Sequence, residues 1–169
     1  MIWKFLFWPI VWIIIFLPGW IWPLYLDDSI RSVTFFLGLI LFVDAMALTS
    51  IGGRTLKRFA HQEKHKTFWP DKLTNLGIYG CMRHPMHLGL ALLPIAVSLM
   101  WGSIPVILTA GWGVAAAIWF VLVIEEKEAL QHFGNEYSDY MQHTPPFVLS
   151  PKCLLKGYAI LKRGINQHL

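Results

Sequence analysis

Four long apolar runs divide the chain, and the polar residues between them set the rest of its organisation. The runs cover Ile2 to Leu26, Val33 to Ile51, Pro85 to Met100 and Val106 to Ile124. A helix needs about 20 apolar residues to cross ~30 Å of hydrocarbon, so each run is read as a membrane span. Pro9, Pro18-Gly19 and Pro23 interrupt the first, which predicts a bend or an end near Leu17, because proline removes a backbone donor. Asp27-Asp28 mark a water-facing turn, Gly52-Gly53 close the second span, and Trp101 to Pro105 form a short turn between the last two. A polar stretch from Arg54 to Asn75 separates the two halves.

Beyond Ile124 the pattern becomes amphipathic. Leu130, Phe133, Tyr137, Tyr140 and Met141 recur at helical spacing against Glu126, Lys127, Glu136 and Asp139, which predicts an amphipathic helix from Glu125 to Met141 that lies at the interface or folds over the site. Pro145-Pro146 end it, and a basic tail with Lys152, Lys156, Lys162 and Arg163 follows. The expected fold is all-α: one polytopic membrane domain over residues 1–169, with about four transmembrane helices, an interfacial helix, and a core near 73–149. There is no internal repeat and no low-complexity segment.

Composition agrees with this. The 169 residues are 56% hydrophobic and 14% charged, where soluble domains carry about 25% charged residues. Nine Trp suit an aromatic belt at the membrane surface. Lys4 ahead of Phe5 to Leu17 looks like a signal peptide, but no small-residue cleavage site follows, so a retained span is expected. The net charge of +4 does not call for nucleic acid, since the cations flank apolar runs. With four spans, all fourteen Lys and Arg except Arg31 fall on one face. The positive-inside rule makes that face cytoplasmic, with both termini on it. Cys81 and Cys153 are too few and too separated for a disulfide framework or zinc site; both are expected to be reduced, Cys81 as a small residue lining a pocket.

Candidate chemistry gathers at two places. Gly77 to Gly89 reads Gly-Ile-Tyr-Gly-Cys-Met-Arg-His-Pro-Met-His-Leu-Gly, directly at the start of the third span. Pro85 suits a first helical turn, and Arg83 with the helix N-terminus makes an anion site; the plainer alternative is an arginine snorkelling at the interface. His84 and His87 share a helix face, but no third ligand is evident, so no metal is expected. Glu125-Glu126 close the fourth span. Solvated acids are the simple reading, yet acids at a helix C-terminus oppose its dipole, and the topology puts them on the face that holds Arg83. Asp44, inside the second span, either faces the pocket or reaches the headgroups. Gly38, Gly89, Gly111 and Gly113 allow close helix approach.

Together these two blocks resemble the isoprenylcysteine carboxyl methyltransferase and phospholipid methyltransferase group of integral membrane enzymes. Gly77, Tyr79, Arg83, His84, Pro85 and Gly89 match its first motif, and Glu125, Glu126, Phe133, Gly134, Tyr137 and Tyr140 its second, with Leu130 displaced by one position. Pro145-Pro146-Phe147 is similar to the closing motif. Ile78, His87 and Pro146 depart from it, the last two at positions that bear on the acceptor. The resemblance covers roughly Leu73 to Leu149. It implies S-adenosylmethionine as methyl donor and S-adenosylhomocysteine as product. It places Gly77, Tyr79, Arg83, His84, Pro85, Gly89, Glu125, Tyr137 and Phe147 around the cofactor, and leaves Arg83, Glu126, His87 and Asp44 as candidates for catalytic work.

No strand followed by a glycine-rich turn is present, which excludes a soluble Rossmann-type methyltransferase. The expected partners are membrane lipids and a lipophilic methyl acceptor (a lipid headgroup, carboxylate, amine or thiol), with no nucleic acid and no obligate protein partner. The site would lie at the cytoplasmic face of an inner, cytoplasmic membrane. The competing readings are a membrane metalloenzyme using the histidines, and a non-catalytic scaffold or small transporter.

Overall fold

The computed structural model describes residues 2–61 and 70–165, with side chains described for 6–61 and 70–162. Lys64, His65 and Lys66 of the polar stretch lie outside the described residues, as do the side chains of Lys4 and Arg163. Among the described residues seven α-helices follow in order: α1 Ile2–Ile21, α2 Asp28–Phe59, α3 Pro85–Trp101, α4 Ile104–Trp119, α5 Glu126–Phe133, α6 Asn135–His143 and α7 Pro151–Ile165. A 3-10 turn at Gly77–Gly80 precedes α3, and a π-helical stretch at Phe120–Glu125 joins α4 to α5. Among the described residues there is no strand, only one isolated bridge between Tyr25 and Ser103.

Helix α2 and the continuous helix from Ile104 to Phe133 are long and apolar enough to cross a membrane; α1 and α3 are apolar but shorter. The apolar side chains of the two long helices are largely outward, with Phe36, Ile40, Leu108 and Trp112 all exposed, whereas no residue of α3 is exposed. So much uncovered apolar surface suits lipid rather than water.

Several element boundaries differ from expectation. α1 runs unbroken through Pro9 and Pro18. α2 continues past Gly52-Gly53 to Phe59, about 48 Å at 1.5 Å per residue, so its basic end with Arg54, Lys57 and Arg58 outruns a ~30 Å hydrocarbon layer. The amphipathic stretch is two helices, broken where Gly134 takes φ 58°. The basic tail is itself a helix, α7.

The chain divides into two compact units, one of residues 1–46 and 90–120, the other of residues 47–89 and 121–169. In the first, Ile15 of α1 packs on Val106 and Ala110 of α4, and the rings of Phe7 and Phe120 stack at 4.1 Å. The Thr109 hydroxyl donates to the Ile15 carbonyl at 2.8 Å. A Cβ on Gly113 would run into Ile15 Cδ1, and one on Gly38 would stand 2.7 Å from the Ala96 carbonyl, so both glycines serve close packing. Gly111 does not, since nothing lies within 4 Å of a Cβ there. At one end the linker after α1 pairs with the turn before α4: the Leu26 amide donates to Gly102 O (2.9 Å), and the Ile104 amide to Leu24 O (3.0 Å).

The second unit is built on the end of α2, the 3-10 turn and α7. A Cβ on Gly52 would meet the Met86 backbone nitrogen at 3.0 Å, and one on Gly157 would meet Ile51 Cγ2 at 2.5 Å. Ala60 O accepts the amides of Asp71 (2.9 Å) and Lys72 (3.1 Å), and Arg58 Nη1 donates to Leu161 O at 3.2 Å. Gly77 is required twice over: its φ is 58°, and a Cβ would lie 2.6 Å from Ile160 Cγ2. Gly77→Ala is therefore expected to cost about 1–2 kcal/mol from the left-handed backbone alone. A melting curve in detergent checks it, and an unchanged midpoint would mean the turn is not held this way.

Candidate active site

The sequence places an arginine, a histidine and a proline in a row, and the structure uses each differently. Pro85 begins α3, where its missing donor costs nothing. The amides ahead of it do not wait for a ligand: Arg83 N donates to Pro145 O (3.0 Å) and His84 N to Pro146 O (3.1 Å). The segment after α6 thus runs alongside the entry to α3, with Pro145 and Pro146 of the closing motif accepting both amides.

The Arg83 side chain is turned inward. Its Nε and Nη2 donate to Glu126 Oε1 at 2.9 and 2.6 Å. Nη1 donates to the carbonyls of Met141 (3.1 Å) and Thr144. His84 Nε2 lies 3.0 Å from the same Glu126 oxygen, and pairing with a carboxylate puts the proton on Nε2. The Tyr137 hydroxyl is 3.5 Å from that nitrogen. Arg83 and Glu126 side chains are only 6% and 9% exposed, so each requires the other. The expectation of an arginine free to grip an outside anion is corrected accordingly: a buried guanidinium needs internal acceptors, and this one has them.

One oxygen of Glu126 therefore receives all three donors. Among the described residues nothing bonds its second oxygen, Oε2, and that atom is not sealed from solvent. Glu126 stands just beyond Ile124, the last apolar residue of the fourth run. Burial acts to raise its carboxyl, but the hydrogen bonds and charges of His84 and Arg83 outweigh this and hold it below its ordinary value. Tyr137 goes the other way. Burial first, then the Glu126 carboxylate, push its hydroxyl up to about 12, so it remains a protonated hydrogen-bonding group at neutral pH.

The π-helical stretch delivers Glu126 to this place. A π-turn adds a residue to the helix and so rotates everything after it by about 100°. Glu126 becomes buried while Glu125 stays half-buried. Apolar periodicity could not reveal this, because the stretch is apolar throughout. α6 closes the cluster. Tyr137, Tyr140 and Ala129 form a small core with Leu73, Phe133 and Met141, and the Tyr140 hydroxyl donates to Tyr79 O. Phe147 lies 5.9 Å, ring to ring, from His84, and the half-buried His87 lies 5.8 Å from it.

Of the remaining sequence candidates, Tyr79, Pro85 and Gly89 are buried in the same unit, and Gly77 shapes the turn that precedes Arg83. Asp44 is exposed on α2 and belongs to the other unit. Among the described residues no three His, Cys, Asp or Glu side chains group as metal ligands.

Cys81 and Cys153, too few and too separated in sequence for a disulfide framework, are brought near each other where α7 packs on the 3-10 turn, and both are free. Burial first, then Cys153, push the Cys81 thiol up to about 11 from 9.0. Only the thiolate reacts, and the greater nucleophilicity of a high-pKa thiolate offsets part of its scarcity, so alkylation at neutral pH is expected to be about 10-fold slower than for an ordinary thiol. Timed labelling with iodoacetamide, followed by mass spectrometry, checks this; labelling at the rate of free cysteine would contradict it.

A model of the phospholipid methyltransferase family matches residues 32–136, a span that includes Arg83, His84 and Glu126. No curated protein and no solved structure matches the chain.

Proposed function

The chain belongs to the phospholipid methyltransferase family, and from that premise we propose that it transfers a methyl group from S-adenosylmethionine to a lipophilic acceptor, beside the Arg83–Glu126–His84 cluster. Methyl transfer to lipid-like substrates is what the family carries; the donor, the face and the residues are the proposal. The observation that supports it most is the buried carboxylate with one oxygen held by three donors and the other open.

The donor set suits the cofactor. S-adenosylmethionine bears a sulfonium, an ammonium, a carboxylate, ribose hydroxyls and a purine. Glu126 Oε2 and Glu125 supply negative charge for the cations, and Phe147 with His84 supplies an aromatic wall for the purine. Gly77, Tyr79, Pro85, Gly89 and Tyr137 shape the surroundings. When bound, the cofactor supplies an already activated methyl group. What remains for the chain is to orient the acceptor, exclude water and accept a proton where the acceptor carries one.

Arg83 does none of this directly. It is a positioning residue: it holds Glu126, and through the Met141 and Thr144 carbonyls it fixes the segment leading to Phe147. Glu126 Oε2 and His87 are the groups proposed to orient the acceptor or take its proton. A lipid or small hydrophobic molecule with an amine, carboxylate, thiol or headgroup oxygen fits such a site. The concentration of Lys and Arg away from Arg31 supports a cytoplasmic placement of the site and of both termini.

Membranes containing the chain, supplied with S-adenosylmethionine carrying a labelled methyl group and a total lipid extract, test the reading. Label should enter the organic phase above that of membranes lacking the chain, and should disappear in Glu126→Gln. Label that stays wholly in the aqueous phase would argue against a lipophilic acceptor.

A further inference from the structure

Residues 144–169 contain no Asp or Glu, yet four Lys and Arg. Three of these, Lys152, Lys156 and Lys162, are exposed on α7. Among them stand two large apolar side chains equally open, Leu155 at 67% and Tyr158 at 60%, with Leu149 at 75% just ahead of the helix. At 100° per residue, Lys152, Leu155, Tyr158, Ala159 and Lys162 fall within an arc of about 120°. The opposite face is already committed, since Cys153 and Gly157 are buried there and Gly157 lies against Ile51 and Ile78.

We propose that this outer face of α7 lies on the anionic headgroup layer of the bilayer, with lysines at the phosphates and Leu155 and Tyr158 dipping below them. The charge is of one sign, which selects an anionic surface. Apolar side chains set among lysines need hydrocarbon as well as phosphate, and lysine stems can lie along the boundary while their ammonium groups stay at the headgroups. A lipid surface supplies both, and the apolar helices of this chain put one beside it. A soluble acidic partner would meet the lysines but leave the apolar pair unexplained.

The contact reaches the 3-10 turn. Ile160 closes on Gly77, Gly157 on Ile78, and Leu161 O accepts from Arg58. Tyr79, in the same turn, receives the Tyr140 hydroxyl, and Arg83 follows four residues later. Seating α7 on the membrane therefore steadies the turn that leads into the Arg83 cluster, whatever reaction that cluster performs.

Hydrogen–deuterium exchange of the full chain in lipid nanodiscs tests it without reference to activity. One set of discs contains phosphatidylcholine alone, the other phosphatidylcholine with phosphatidylglycerol. Amides of 151–162 should exchange on the order of ten-fold more slowly in the anionic discs, as contributions from three lysines allow. The difference should shrink in high salt, where the Debye length falls to about 3 Å at 1 M. The triple variant Lys152→Gln, Lys156→Gln, Lys162→Gln, altered only at exposed positions, should lose it, while peptides from α4 stay unchanged in both discs. Equal exchange in the two discs would overturn the proposal. So would a difference that survives in the triple variant.

Discussion

Glu126→Gln is expected to cost about 3–5 kcal/mol of stability, the usual penalty for leaving a buried charge without its partner, and to abolish methyl transfer. Glutamine keeps the shape but loses the charge that balances Arg83. Its amide can accept only from one oxygen and would present NH2 to either a guanidinium or the open side of the site. The Arg83 guanidinium, almost wholly inside, would then be a cation held by two carbonyls. The acid limb of stability carries the same signature. The native Glu126 carboxyl lies below its ordinary value, so its contribution is fully present above the unfolded-state pKa and is lost as pH falls through the depressed native one. Melting temperatures followed from neutral pH into acid should fall for the wild type, and Glu126→Gln should show a shallower fall. Parallel curves would mean that Glu126 is not the group being protonated.

Arg83→Lys is expected to be almost as damaging, although the charge is kept. Arginine reaches Glu126 through two nitrogens and the Met141 and Thr144 carbonyls through a third. A lysine presents one ammonium, which can satisfy the carboxylate or the carbonyls but not both sets. At least one buried carbonyl loses its donor, about 1–3 kcal/mol each, and the segment carrying Phe147 loses its side-chain tether, keeping only the backbone bonds at Pro145 and Pro146. Cofactor affinity should fall about 10-fold or more on those figures, with the midpoint of unfolding lowered in parallel. A lysine variant with wild-type affinity and stability would show that Arg83 is only an interfacial cation.

Much of this was legible before any coordinates. Apolar runs located α1 to α4 because side-chain hydrophobicity is a direct record of a lipid environment, and the Gly77–Gly89 and Glu125–Glu126 blocks named the polar cluster. Which acid pairs with Arg83 was not legible, because a π-turn inside a uniformly apolar stretch leaves no change of period. Nor was it legible that Arg83 binds two carbonyls at the C-terminal end of α6, since backbone acceptors carry no residue signature. Gly52-Gly53 was read as a helix end on propensity, whereas α2 continues there because glycine lets it approach Met86. The Cys81–Cys153 contact depends on where α7 packs, a tertiary fact that spacing along the chain cannot hold.

The central claim is that this helical chain holds S-adenosylmethionine beside Glu126, and calorimetric binding to the detergent-purified protein tests it most directly. Saturable binding of S-adenosylmethionine and S-adenosylhomocysteine is expected, weakened by Glu125→Ala, a half-buried position whose loss leaves the Arg83–Glu126 pair in place. A folded sample that binds neither compound would contradict it.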